Sequence, residues 1–131
     1  MNPTLRSLGT CLTFLALASC TDAQKSSTTE YTPQQFAATA DKDKFILLDV
    51  RTPDEWNAGH LKDAVHFDWY ADDFKERVAK LDKSKPVLVY CAAGGRSGKA
   101  QDVMQDLGFK RVVNLEGGYN AWTAAGLPVV K

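Results

Sequence analysis

Two short runs in this chain leave almost no polar side chain to turn toward water: Phe45-Ile46-Leu47-Leu48, continuing into Asp49-Val50, and Pro86-Val87-Leu88-Val89-Tyr90. A strand with one wet face alternates apolar and polar residues, because successive side chains point to opposite sides. An unbroken apolar run implies that both faces are covered, as in parallel sheets whose crossovers are helices. Helical signals alternate with these runs. Thr32-Pro33-Gln34-Gln35 has the form of a capping box with proline at the first helical position, and Phe36, Ala37 and Ala40 give the helix an apolar side. Thr52-Pro53-Asp54-Glu55 repeats the pattern and opens a short helix that carries Trp56 and stops at Gly59. Ala64-Val65-His66-Phe67 and Val112-Val113-Asn114-Leu115 are short strand candidates. Tyr70, Phe74, Val78 and Leu81 mark an amphipathic helix, as do Ala100, Val103, Met104 and Leu107. Glu116-Gly117-Gly118 turns into a last helical segment bearing Tyr119, Ala121, Trp122 and Ala125, closed by Gly126 with Pro128 beyond. This alternation predicts an α/β domain on a parallel sheet covered on both faces.

The second apolar run ends at Cys91, followed by Ala92-Ala93-Gly94-Gly95-Arg96-Ser97-Gly98 and then a helix. Ligands of open α/β sheets bind at the carboxyl ends of strands, and a loop curling into a helix N-terminus aims several N–H groups at one point. An anion is favoured there, a thiolate included. The pKa of a free cysteine, about 8.5, falls to roughly 3.5–7.5 in such settings. Buried cysteines commonly only pack. A packing cysteine, however, has no need of two following glycines and an arginine, whereas an anion cradle does. Cys91 is therefore the candidate nucleophile.

A length of 131 residues suits one domain, and 16 basic against 16 acidic residues carry no polyanion-binding signal, which argues against nucleic acid as a partner. Residues 1–19 form a different class of segment: Arg6 precedes the largely apolar stretch Leu8 to Ala18, too short to span a bilayer, as in a secretion signal. Its end, Leu17-Ala18-Ser19-Cys20, resembles the lipobox of bacterial lipoproteins, which implies cleavage before Cys20 and lipid on its sulfur. An ordinary signal peptide cleaved after Ala16-Leu17-Ala18 is the alternative. Residues 20–30 are polar, aperiodic and without anything to bury, as expected of a tether reaching roughly 17 Å, with the globular domain over 31–131. Cys11 would leave with the signal and Cys20 would be blocked, so Cys91 would have no disulfide partner within the chain. With two histidines, His60 and His66, the chain is poorly supplied for zinc, and no metal is expected.

Taken together, Asp49-Val50-Arg51, Glu55-Trp56, Gly59-His60-Leu61, Ala64, the loop from Tyr90-Cys91 to Ser97, Glu116-Gly117-Gly118, Trp122 and Gly126-Leu127-Pro128 resemble the rhodanese family of sulfurtransferases. The order is the family's, over residues 45–128. Among single-domain members the small periplasmic phage-shock type looks closest. The resemblance implies a five-stranded parallel sheet flanked by helices on both faces, and a persulfide carried by Cys91. Sulfur would come from a donor such as thiosulfate and pass to a thiol or cyanide, or to a protein thiol partner, with no cofactor. The anionic persulfide would be held by the N–H groups of Ala92, Ala93, Gly94, Gly95, Arg96 and Ser97. Ala92 departs from the arginine or lysine of many thiosulfate-using members. Arg96 can stand in for that charge or hold the loop by a salt bridge; both readings remain open. Asp49 and Arg51, at the end of the first long strand, are read as braces for the loop, and His60 as a structural hydrogen-bonding residue rather than a base paired with Cys91. His66 is read as packing as readily as anything else.

Two other classes share such a site: a tyrosine-phosphatase-like or arsenate-reducing enzyme, and a tethered sulfur-carrier or binding module with little turnover. Four residues separate Cys91 from Arg96, one fewer than in phosphatase loops. The lipobox implies the bacterial cell envelope, a lipid anchor as the one membrane attachment, and a periplasm-facing domain. Thr21 lacks the aspartate that retains lipoproteins at the inner membrane of enteric bacteria, so outer-membrane sorting is open. Replacing Cys20→Ser should release the domain from the membrane fraction with its activity unchanged; mature unlipidated protein beginning at Ser19 would overturn the lipid anchor.

Overall fold

The computed structural model describes residues 29–40 and 44–131, so the signal segment, Cys20 and the tether up to residue 28 lie outside the described residues. Ten elements alternate along the described residues. They are β1 (Thr29–Tyr31), α1 (Pro33–Ala40), β2 (Ile46–Asp49), α2 (Pro53–Ala58), β3 (Val65–His66), α3 (Phe74–Ala79), β4 (Val87–Tyr90), α4 (Gly95–Asp106), β5 (Val112–Leu115) and α5 (Gly118–Ala124). The five strands form one parallel sheet in the order β1-β5-β4-β2-β3.

The alternation of side chains on β4 places a core on each face. Val87 and Val89 pack with Phe74 and Val78 of α3 and Ala100 and Met104 of α4, whereas Leu88 and Tyr90 pack with Phe36 of α1 and Trp122 of α5. Each such aliphatic or aromatic side chain contributes about 1.5–3 kcal/mol on leaving water, which is why the central strand has no room for a polar face. The chain reverses its direction across the sheet after β3, so the connection leaving β2 runs one way and the connection leaving its neighbour β4 runs the other. The carboxyl end of β4, where Cys91 sits, is the crevice position of an open α/β sheet.

Both capping boxes form. Gln35 N–H reaches Thr32 Oγ1 while Thr32 N–H reaches the Gln35 side chain, and Thr52 and Glu55 are paired in the same way. Two boundaries differ from those expected. Thr29 and Glu30, assigned by composition to the tether, are edge-strand residues of β1 in register with Val113 and Asn114. An edge strand buries little, so a polar segment can fill it when the partner's backbone groups supply the bonds. The helix expected from Tyr70 begins only at Phe74. Asp68 captures the chain first, its carboxylate accepting the N–H of Tyr70 at 2.9 Å and its carbonyl that of Ala71, and Tyr70 is left 67% exposed.

At the end of β2 a charged pair is sealed inside. Arg51 Nε lies 3.1 and 3.0 Å from the two Asp49 oxygens, its Nη2 donates to Asp49 at 2.7 Å and to the Gly59 carbonyl at 2.6 Å, and its own N–H returns to Asp49 at 2.8 Å. The guanidinium lies 4.1 Å from the ring centre of Tyr119. Replacing Arg51→Met should destabilise the domain by about 3–5 kcal/mol in denaturant unfolding, because Asp49 is left buried and unpaired. The double replacement Asp49→Asn with Arg51→Met should recover part of that loss; no recovery would show that Arg51 acts through Gly59 and Tyr119 alone.

Candidate active site

Cys91 directly follows β4 and is 2% exposed. Its sulfur accepts the N–H of Gly94 at 3.1 Å and the hydroxyl of Ser97 at 3.3 Å. Gly94, with φ of 103°, turns the loop into α4 through a conformation that a side chain would oppose. Burial pushes the thiol pKa up. The Ser97 hydroxyl and the N–H groups of Ser97, Ala93 and Gly94 outweigh it, so the thiol lies below its ordinary value.

These N–H groups face the sulfur because the other side of the loop is held. Tyr119 N–H donates to the Cys91 carbonyl at 2.7 Å and Asn120 N–H to the Ala92 carbonyl at 3.0 Å. A trans peptide points its C=O and N–H in opposite directions. Pinning the Ala92 carbonyl against α5 therefore turns the Ala93 N–H the other way, to the sulfur side. The close approach explains Gly118, the first residue of α5: a Cβ there would lie 2.5 Å from the Cys91 carbonyl oxygen. Sequence reasoning placed Gly118 in a motif without seeing this role.

Arg96 is committed elsewhere. Its Nη1 and Nη2 hold the two carboxylate oxygens of Glu55 at 2.7 and 2.8 Å, tying the start of α4 to α2, and the guanidinium lies 5.8 Å from the ring centre of Tyr70. Of the two roles open for Arg96, bracing is the one its geometry fills. Asp49 and Arg51 do not touch residues 92–97 through their hydrogen bonds; they fix the Gly59 turn, and Arg51 lies against the Tyr90 and Tyr119 rings that flank the loop. The direct braces are instead Glu55, the first turn of α5, and Asn114. The last donates from Nδ2 to the Gly94 carbonyl and to Glu30, both at 3.2 Å. A polar residue amid Val112, Val113 and Leu115 was the available signal for it.

Neither histidine is bonded to the sulfur. His60 stacks on Trp56 with ring centres 3.5 Å apart, its Nδ1 is 3.1 Å from the Trp56 carbonyl, and its backbone exchanges two bonds with Val130. His66 Nε2 lies 2.7 Å from the Arg51 carbonyl. Among the described residues, no three His, Cys, Asp or Glu side chains converge as a metal site would require. The arrangement sets a backbone N–H and a hydroxyl against a buried sulfur, in a loop where Ala92 is half-buried and Ala93 and Gly95 are exposed.

The family model for the rhodanese-like domain matches residues 32–125. The chain belongs to the rhodanese-like family. A sulfurtransferase of Allochromatium vinosum is 36% identical over 91 residues, covering 70% of this chain and 83% of that protein. The crystal structure of a rhodanese-related protein from Thermoplasma volcanium superposes with a TM-score of 0.70 at 27% identity, covering 78% of this chain and 97% of that one. A Rhodopseudomonas palustris protein of unknown function, described as a possible tyrosine phosphatase, gives 0.65 at 28% identity, covering 80% and 86%. The rhodanese-like match begins after β1 and contains the whole loop from Cys91 to Ser97.

The Arg96–Glu55 pair gives this rhodanese-like domain an acid limb. Hydrogen bonds from Arg96 hold the Glu55 carboxyl at about 2, against an ordinary 4.5, despite an opposing push from burial and with further help from Thr52. A carboxyl depressed in the folded state contributes stability in full above the unfolded value, and that stability is lost as pH falls from about 4.5 toward about 2. The Glu55 side chain is 33% exposed, so solvent screening limits the contribution to about 1–2 kcal/mol. Glu55→Gln should remove that much at pH 7 and flatten the decline in stability between these pH values; an unchanged slope would exclude the pair as its source.

Proposed function

We propose that this domain is a sulfurtransferase that receives a sulfane sulfur on Cys91 and passes it to a thiol or cyanide. The observation that carries the reading is the donor set around one buried sulfur: a backbone N–H from Gly94 and a hydroxyl from Ser97, with a lowered thiol pKa. Sulfurtransferases among its relatives support it.

In the first half-reaction the Cys91 thiolate attacks the outer sulfur of the donor. With thiosulfate, the S–S bond breaks, sulfite leaves with the electron pair, and the enzyme holds Cys91–S–S⁻. In the second, cyanide or a thiolate attacks the terminal sulfur and Cys91 leaves as thiolate. Charge moves from the cysteine sulfur to the outer sulfur and back, and N–H groups already turned toward that space stabilise it without reorganising. Ala92 brings no charge, and both terminal nitrogens of Arg96 are bonded to Glu55. A dianionic donor therefore relies on backbone N–H groups, and we propose that thiosulfate is taken up with a high KM. We also propose that the domain works at the envelope, tethered through lipid on Cys20.

The second reading is phosphoryl chemistry, favoured by the likeness to the Rhodopseudomonas palustris protein. A phosphoryl group brings three equatorial oxygens that need donors around them. Against it stand the short spacing between Cys91 and Arg96 and the Arg96 side chain held by Glu55. A sulfur carrier with little turnover of its own would share the loading step and differ only in the rate of the second.

Reduced protein incubated with thiosulfate should gain one sulfur atom on the Cys91 peptide by mass spectrometry and lose it to cyanide with formation of thiocyanate. Cys91→Ser should abolish both steps, because a serine hydroxyl is not ionised near neutral pH as a thiol can be. Cleavage of an aryl phosphate through Cys91, with no sulfur taken from any donor, would replace this proposal with the phosphatase reading.

A further inference from the structure

We propose that Asn114 is a positioning residue that directs the hydroxyl hydrogen of Ser97 onto the sulfur of Cys91. Ser97 has a single O–H hydrogen to give. Two acceptors lie within reach of it, Cys91 Sγ at 3.3 Å and the Gly94 carbonyl oxygen at 3.2 Å. A carbonyl oxygen is the better acceptor and would ordinarily win, since sulfur accepts weakly until it is ionised. The Gly94 oxygen, however, has two lone pairs and two other donors: the helical N–H of Gly98 at 3.0 Å and Asn114 Nδ2 at 3.2 Å. With both lone pairs occupied, the hydroxyl hydrogen is surplus there and is free for the sulfur.

The placement of Asn114 shows what the residue is for. It is 1% exposed, it lies on the side of β5 that faces α4, and the absence of a side chain on Gly98 leaves space beside it, Nδ2 being 3.8 Å from where a Cβ would stand. Its Oδ1 is buried with no hydrogen-bond partner among the described residues. An unpaired buried carbonyl is a loss that an apolar side chain would avoid. The neighbours on the strand are Val112, Val113 and Leu115, whereas the Asn114 amide meets the Gly94 carbonyl and Glu30. An asparagine held at a cost to stability, with its amide donating to the cysteine loop, is what a role in the chemistry of the site would leave behind.

The charged groups around this cluster are Arg96 of α4, paired with Glu55 of α2, and Glu30 of β1, which accepts the second Nδ2 hydrogen at 3.2 Å. Replacing residue 114 frees one Glu30 oxygen and leaves the Arg96–Glu55 pair as it is. The role of Asn114 rests on Cys91 being the reactive thiol, and its test needs no sulfur donor. A failure of sulfur transfer and a failure of this inference are therefore distinguishable.

The experiment is the pH dependence of iodoacetamide alkylation of Cys91 in four proteins: wild type, Ser97→Ala, Asn114→Leu and the double replacement. Asn114→Leu should raise the apparent thiol pKa as Ser97→Ala does. At pH values below the pKa the alkylation rate should fall about ten-fold, in step with a ten-fold smaller fraction of thiolate. The double replacement should be no slower than Ser97→Ala alone, because the asparagine acts only through the serine. Asn114→Ala serves as the second variant should the leucine disturb packing, with the same pattern expected in alkylation. An unchanged thiol pKa in both asparagine variants, or effects of the two sites that add in the double replacement, would overturn the inference.

Discussion

Two hydrogen bonds from the first turn of α5, Tyr119 N–H to the Cys91 carbonyl and Asn120 N–H to the Ala92 carbonyl, shape everything around the sulfur. The first N–H groups of a helix have no partner within it and must find one outside. Here the cysteine loop supplies the acceptors. One contact thus satisfies the start of α5 and turns the loop's own N–H groups to the opposite side, where Cys91 lies. The approach is so close that only glycine fits at position 118. β4 and β5 must be neighbours for the segments leaving their ends, the cysteine loop and α5, to meet.

The loop is closed from the other side by charge. Arg96 pairs with Glu55, itself the third helical residue of the α2 capping box, so one carboxylate secures a helix start and the start of α4 together. The pair braces two helix starts, and the groups bonded to the sulfur are a backbone N–H and one hydroxyl. That arrangement suits the proposed transfer, in which a single negative charge travels one bond length between two sulfurs. A fixed guanidinium at the sulfur would hold the anion tightly and slow its departure, whereas neutral dipoles stabilise it at either position.

The sheet core was legible because physics left little choice there. Runs such as Val87-Leu88-Val89 have to be covered on both faces, and the capping boxes at Thr32 and Thr52 announce their helices locally. β1 was hidden, since an edge strand needs backbone partners more than apolar side chains, and Thr29-Glu30 reads as tether until Val113 and Asn114 are seen beside it. The helix at Tyr70 was overstated for a related reason: periodicity counts Tyr70 as apolar, but the turn at Asp68 decides where the helix can begin. The site divided in the same way. Cys91 and its glycines lie together in sequence and could be read. Arg96 with Glu55, and Asn114 with Gly94, are separated by many residues, so which of several polar groups each would face depended on the folded register.

The central claim is that the loop is built to hold an anionic sulfur attached to Cys91. The most direct test is a crystal structure of the protein after loading with thiosulfate or polysulfide. Additional density is expected for one sulfur bonded to Cys91 Sγ, lying within hydrogen-bond distance of the N–H groups of the loop between Ala93 and Ser97, with the bonds from Tyr119 and Asn120 unchanged. A loaded sulfur turned away from those groups toward solvent, or a loop that has to open from α5 to admit it, would contradict the account.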